Sequence, residues 1–125
     1  MAQQFNTDVL RTLDETEEVE IETSGDDGRR RRTTIWVVVD GGTVYVRSVR
    51  GPAGRWYREL SARPDGVLHA AGLHLPVHAV GAADPATVAS VSQAYRRKYE
   101  RNWPRETASM LREHTLPTTL RLEPA

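Results

Sequence analysis

The chain contains no cysteine, so a disulfide framework, a thiolate nucleophile and a zinc–thiolate centre are all excluded. It has no stretch approaching the roughly 20 apolar residues that a membrane-crossing helix needs. Its N-terminus lacks a basic segment followed by an apolar run, so no membrane partner is expected and the expected location is cytoplasmic. Net charge is absent too, because seventeen basic and seventeen acidic residues cancel. That balance argues against bulk electrostatic attachment to nucleic acid but leaves room for a local anion site. No Ser/His/Asp motif stands out, and no residue is assigned a catalytic role.

The charge that is present is unevenly placed. The first 27 residues hold nine acids and one base, Arg11, and Arg29 to Arg32 then follow as four consecutive arginines. All the other bases are arginine as well, except Lys98. At 125 residues the chain fits one domain with a single core.

Asn6 or Thr7 caps a helix within residues 1–16, with Val9, Leu10 and Leu13 as its apolar side and Phe5 as a staple. Residues 17–49 read as a strand meander. Val19, Ile21 and Thr23 alternate with Glu18, Glu20 and Glu22, and Gly25 to Gly28 form a turn. A strand then runs from about Arg30 to Val39, and Asp40-Gly41-Gly42 returns the chain as a hairpin. A short helix over 53–62 carries Trp56, Tyr57 and Leu60, and 67–80 form a second hairpin turning at Gly72. Asp84-Pro85 opens a helix across 84–103, with Val88, Val91, Tyr95 and Tyr99 on one side. A short helix around Thr107–Arg112 and a final strand over 118–122 complete the chain. Six short strands with tight turns imply a mainly β (α+β) fold, a closed or partly closed barrel with flanking helices.

If the Gly41-Gly42 turn pairs residues whose numbers sum to 83, Trp36 faces Arg47, Val38 faces Tyr45 and Ile35 faces Ser48. One face then collects Ile35, Val37, Val39, Val44 and Val46, a good barrel interior. The other collects Arg32, Thr34, Trp36, Tyr45 and Arg47, which suits a subunit interface or a site where a flat ring stacks near an anionic tail. Arginine forks and hydroxyls at strand ends match phosphate, and the glycines at 51 and 54 let the backbone approach a ligand closely. The outer arginines have a plainer use, balancing the acidic strand before them. A turn centred between Asp26 and Asp27 places Glu22 opposite Arg31, and Arg32 opposite Ile21 on the apolar side.

His69, His74 and His78 lie on one hairpin, with 74 and 78 on a common face. No carboxylate has the matching spacing, and no metal site is assigned. Tyr95 to Tyr99, with Arg101 and Trp103, interleave bases and aromatics as nucleic-acid binders do. On a helix, though, the tyrosines face the core and the bases face water, so nucleic acid is not the expected partner.

Taken together, Arg32-Thr33-Thr34-Ile35, the glycine-turn hairpin, Tyr45 to Gly51 and Arg55 to Leu60 resemble the pyridoxamine-phosphate-oxidase-like split-barrel superfamily. The likeness is nearest to its deazaflavin-dependent nitroreductase-like branch and to an uncharacterised bacterial family beside it. It spans about residues 17–122, with Arg32–Leu60 its specific part. It implies a homodimer that binds FMN or the deazaflavin coenzyme at the dimer interface, with oxidoreductase activity on a small organic acceptor or, alternatively, a non-catalytic ligand-binding role. By the same resemblance Arg32, Thr33 and Thr34 would contact the cofactor's phosphate or ring edge. Arg47, Ser48, Arg50 and Gly51 would line its phosphate and ribityl region, and Trp56 and Tyr57 would border it. Ile35 stands where the deazaflavin branch usually has proline.

Overall fold

The computed structural model describes residues 4–125, so the first three residues of the expected 1–16 segment lie outside it. Helix α1 (Thr7–Glu15) starts where Asn6 accepts the Val9 N–H at 2.9 Å, and it buries Leu13. The Asn6 cap satisfies one of the four free amides of the first turn. Strand β1 (Glu18–Ser24) pairs antiparallel with β2 (Arg30–Trp36). The Gly25 N–H donates to the Arg29 carbonyl at 2.9 Å, and Gly28 sits at φ +78°. The loop therefore holds three residues rather than two, which slips the register by one from that expected. Glu22 faces Arg32, and Thr23 faces Arg31. Arg32 thus lies on the polar outer side, not opposite Ile21.

The expected Arg30–Val39 strand is broken at Val37 into β2 and β3 (Val38–Asp40), which makes seven strands instead of six. The break has a physical cause. The Tyr99 hydroxyl accepts the Val37 N–H at 3.2 Å, and Lys98 Nζ donates to the Val37 carbonyl at 2.7 Å. Both backbone groups are satisfied by α3 (Pro85–Tyr99), so no neighbouring strand is needed there. Lys98 also donates to the Leu13 carbonyl at 2.8 Å, tying α1 to the same point. Burial pushes its ammonium down to about 8, with Asp14 and Glu17 acting in the opposite sense. Of the bases placed on the wet face of this helix, Lys98 is the exception.

Strand β4 (Thr43–Val46) returns from the Gly41-Gly42 turn, where both glycines have positive φ, in the expected register: Val38 faces Tyr45 and Asp40 faces Thr43. Helix α2 (Arg55–Ala62) follows a 3-10 turn at Gly51–Ala53. Strands β5 (Asp65–Ala70) and β6 (Leu73–Gly81) form the second hairpin. Helix α4 (Pro104–Ser109) begins after Trp103, three residues earlier than expected, and β7 (Leu120–Pro124) ends the fold.

All pairs are antiparallel, in the order β2-β1-β5-β6-β7-β4-β3. The two ends of this curled sheet, β2 and β3, are consecutive in the chain. Covalent continuity at Val37, not a hydrogen-bonded ladder, closes the barrel. Its interior holds Val19, Ile21, Ile35, Val37, Val44, Val46, Leu60, Leu68 and Leu122. A second core between the outside of the β3–β4 hairpin and α3 joins Val38, Val91, Tyr95, Tyr99 and Met110, with Trp36 and Tyr45 packed against it. The aromatic face that suggested a subunit interface is thus largely covered by the chain's own helix. Among the described residues no helix is long and apolar enough to cross a membrane.

Candidate functional site

The expected pairs Trp36–Arg47 and Ile35–Ser48 do not form, because the β3–β4 ladder stops short of them. The chain instead splays at this point, leaving a cleft of about 550 Å³ between β2 and the segment after β4. Its size falls in the range of small-molecule sites. Thr33, Thr34, Ile35 and Trp36 form one side, Ser48, Val49, Arg50, Gly54, Arg55 and Trp56 the other, and Trp103, Glu106 and Ser109 the third. All three tryptophans of the chain line it. Trp36 stacks on Tyr99 with ring centroids 3.8 Å apart and planes 3° apart, so its opposite side is the one left for the cleft. Trp103 is 42% exposed and donates its indole N–H to the Glu17 carboxylate.

Six of the nine residues expected at the site meet here: Thr33, Thr34, Arg47, Ser48, Arg50 and Trp56. The other three do not. Arg32 points to the outer face of the sheet, 3.6 Å from Glu20 and 3.4 Å from Glu22. Gly51, at φ +71°, packs against His114, where any Cβ would meet the histidine ring and carbonyl at 2.8 Å. Tyr57 packs against the barrel core beside Trp56, edge to face at 6.3 Å.

Arg47 has a different job from the one expected. It is 1% exposed, and it donates to Thr119 Oγ1 (2.8 Å), Ser92 Oγ (3.0 Å), the Met110 carbonyl (3.2 Å) and the Val88 carbonyl (2.9 Å). Its guanidinium lies over the Tyr95 ring at 5.5 Å. Burial lowers its proton affinity and raises that of the Tyr95 hydroxyl, whose oxygen has no hydrogen-bond partner. Arg47 is a clamp behind the cleft, tying the end of β4 to α3, to the end of α4 and to the start of β7.

The basic end of the cleft is built on α2. Glu59 accepts from Thr23 Oγ1 at 2.7 Å, Arg31 at 2.9 Å and Arg55 at 3.2 Å, pinning the helix to β1 and β2. Arg55 also reaches Thr33 Oγ1 at 3.3 Å. Among the described residues no side chain caps α2, so its first-turn amides are left to carry the positive end of the helix dipole. Ser48 is buried, its amide bonded to Thr118 Oγ1 at 2.9 Å, yet its own hydroxyl has no partner among the described residues. A Cβ on Gly54 would lie 2.3 Å from that hydroxyl, so only glycine allows this approach. Gly54 lies at the cleft, as its expected close approach to a ligand requires, whereas Arg55, Trp103 and Glu106 line it without having been assigned to a site from sequence. The signal for Arg55 was available, an arginine directly after that glycine at the start of a helix.

The outer face behaves differently. Glu22 takes the Arg30 side chain and His69 Nε2 (2.9 Å), which hold its carboxyl down at about 2. His69 faces both Glu20 and His74 across the strands, and His78 bonds Asp65 at 2.9 Å. A second, polar cleft of about 560 Å³ runs over this face.

Residues 9–122 match the model of a family described as "Uncharacterized protein conserved in bacteria (DUF2255)". No curated protein matches the sequence. Among solved structures, the chain is similar to HutZ, the heme storage protein from Vibrio cholerae (TM-score 0.66, 15% identity, 98% of this chain and 92% of that one). It is similar to an F420-H2 dependent reductase (TM-score 0.65, 17% identity, 85% and 93%). It also resembles a putative 5-nitroimidazole antibiotic resistance protein from Bacteroides thetaiotaomicron (TM-score 0.67, 9% identity, 99% and 82%). At such identities the likeness establishes the split-barrel fold.

Proposed function

We propose that this chain, which belongs to the DUF2255 family, binds a flat cofactor with an anionic tail, FMN or the deazaflavin coenzyme, in the tryptophan cleft. The observation that carries this reading is the buried, unpartnered Ser48 hydroxyl beside the uncapped start of α2, where Arg50 and Arg55 line the same cleft. A buried hydroxyl without a partner costs about 1–3 kcal/mol, and a phosphate there would supply the missing acceptor. Helix amides and arginine forks are the donors that phosphate recognition uses. Trp36 offers its free ring face to an isoalloxazine-sized ring, the largely buried Trp56 borders it, and Thr33 and Thr34 offer hydroxyls to its edge.

When bound, such a ring supplies hydride chemistry, and the protein supplies position and shielding. Arg50, Arg55 and Ser48 would fix the tail, while the tryptophans exclude water from the ring. The likeness to an F420-H2 dependent reductase supports the deazaflavin choice at the level of fold only. The resemblance of Arg32–Leu60 to the split-barrel superfamily adds a homodimer as the expected assembly.

Titration of freshly purified protein with FMN and with the deazaflavin coenzyme, followed by ring absorbance, tests the proposal. Saturable binding of one of them at one per chain is expected, with a solution mass of two chains. Failure of both to bind contradicts it, whatever the mass.

A further inference from the structure

The tryptophan cleft is electrically polar along its length. Its basic end lies at Thr33, where Arg55 reaches the strand. Its other end lies at Trp36, which faces Glu18 across β1–β2. Three residues of extended strand separate the two ends, roughly 10 Å. At the Trp36 end stand Glu17, Glu18 and Glu106, and none of the three has an ion-pair partner among the described residues. Glu17 holds the Trp103 indole N–H, and that indole is 42% exposed. Indole faces attract cations through their quadrupole, and nearby carboxylates add to the attraction.

The cleft is marked as a ligand site by the Ser48 hydroxyl, buried and without a partner at its floor. The anionic tail of the first ligand would occupy that basic end. Nothing at the acidic end suits an anion: Lys98 offsets Glu17, but Glu18 and Glu106 have no ion-pair partner among the described residues and repel one. We propose that this end selects the second ligand, and that it is a flat organic cation such as an N-alkylated heteroaromatic. The cation lies against Trp103, beside the ring stacked on Trp36, with its charge toward Glu18 and Glu106. This assignment rests on the reading of the cleft as a ligand site and adds the chemical class of the molecule that meets the cofactor there.

Equilibrium dialysis of the full chain against N-methylquinolinium and against neutral quinoline, above pH 7, tests it. The cation is expected to bind at least about tenfold more tightly than its neutral counterpart, as two nearby carboxylates in a partly wet site imply. Binding of the cation alone should weaken as salt is raised. In the Glu18→Gln, Glu106→Gln variant the preference should fall below about threefold. Equal affinity of the two probes for the unmodified protein overturns the proposal, and so does a preference that survives in a folded double variant. If the variant does not fold, the probe comparison and its salt dependence on the unmodified protein decide the matter. FMN binding by the unmodified protein is measured separately, so equal affinity of the two probes in a protein that does bind FMN contradicts only this assignment.

Discussion

The two clefts hold similar chemistry and treat it in opposite ways. On the outer face of β1, β2 and β5, arginines and glutamates neutralise one another: Arg30 pairs with Glu22, and Arg32 with Glu20 and Glu22. In the tryptophan cleft, Arg50, Glu17, Glu18 and Glu106 have no ion pair among the described residues, and a buried hydroxyl has no partner. Strand register explains the contrast. A ladder sets consecutive residues of two strands face to face, so an acidic strand beside a basic one pairs its charges automatically. A loop, a helix start and a helix end meeting across a gap have no such rule. The run of four arginines, the most conspicuous feature of the sequence, is therefore structural, and of the exposed cleft arginines after β4, Arg50 is the one that no ion pair among the described residues occupies.

The largest effect should come from the residue behind the cleft. Arg47→Ala removes four hydrogen bonds at once, to the Met110 and Val88 carbonyls and the Thr119 and Ser92 hydroxyls, so a loss of about 3 kcal/mol or more is expected in urea unfolding. A loss under about 1 kcal/mol would return Arg47 to the ligand site. Next comes Gly54→Ala, whose Cβ meets Ser48 Oγ and should cost about 1–3 kcal/mol. Adding Ser48→Ala should recover part of this cost, and a double-mutant cycle with no coupling would show that the close approach does not matter.

Two further changes sharpen the division between the clefts. Arg50→Ala with Arg55→Ala should weaken FMN or deazaflavin binding by about tenfold or more, whereas Arg29→Ala with Arg30→Ala should leave it unchanged. Equal losses from both pairs would erase the distinction. The smallest effect concerns pH. Glu22 titrates near 2 in the fold against an ordinary 4.5, so its contribution is complete above about 4.5 and is lost as pH falls toward 2. Surface screening reduces this to on the order of 1 kcal/mol. Unfolding measured across that window should have a shallower acid limb in Glu22→Gln than in the unmodified protein.

What could be read from sequence was whatever is local. The alternation of Val19, Ile21 and Thr23, the Asn6 cap and the hairpin register summing to 83 all depend on neighbours a few residues away. The one-residue slip that moved Arg32 outward came from a turn holding three residues, a difference the composition Gly-Asp-Asp-Gly does not decide. The break at Val37 was hidden for a stronger reason. It requires Lys98 and Tyr99, some 60 residues later in the chain, to take over the backbone groups of one strand residue. The cleft is a consequence of that break, so its third wall, Trp103 with Glu106, had no local signal beyond a proline that stops a helix.

The most direct test of the site follows tryptophan emission while the full chain is titrated with FMN and, separately, with the deazaflavin coenzyme. Because all three tryptophans line the one cleft, a ring bound there should quench most of the emission, saturating at one ligand per chain. Binding that leaves the emission unchanged, or no binding of either molecule, would contradict the assignment.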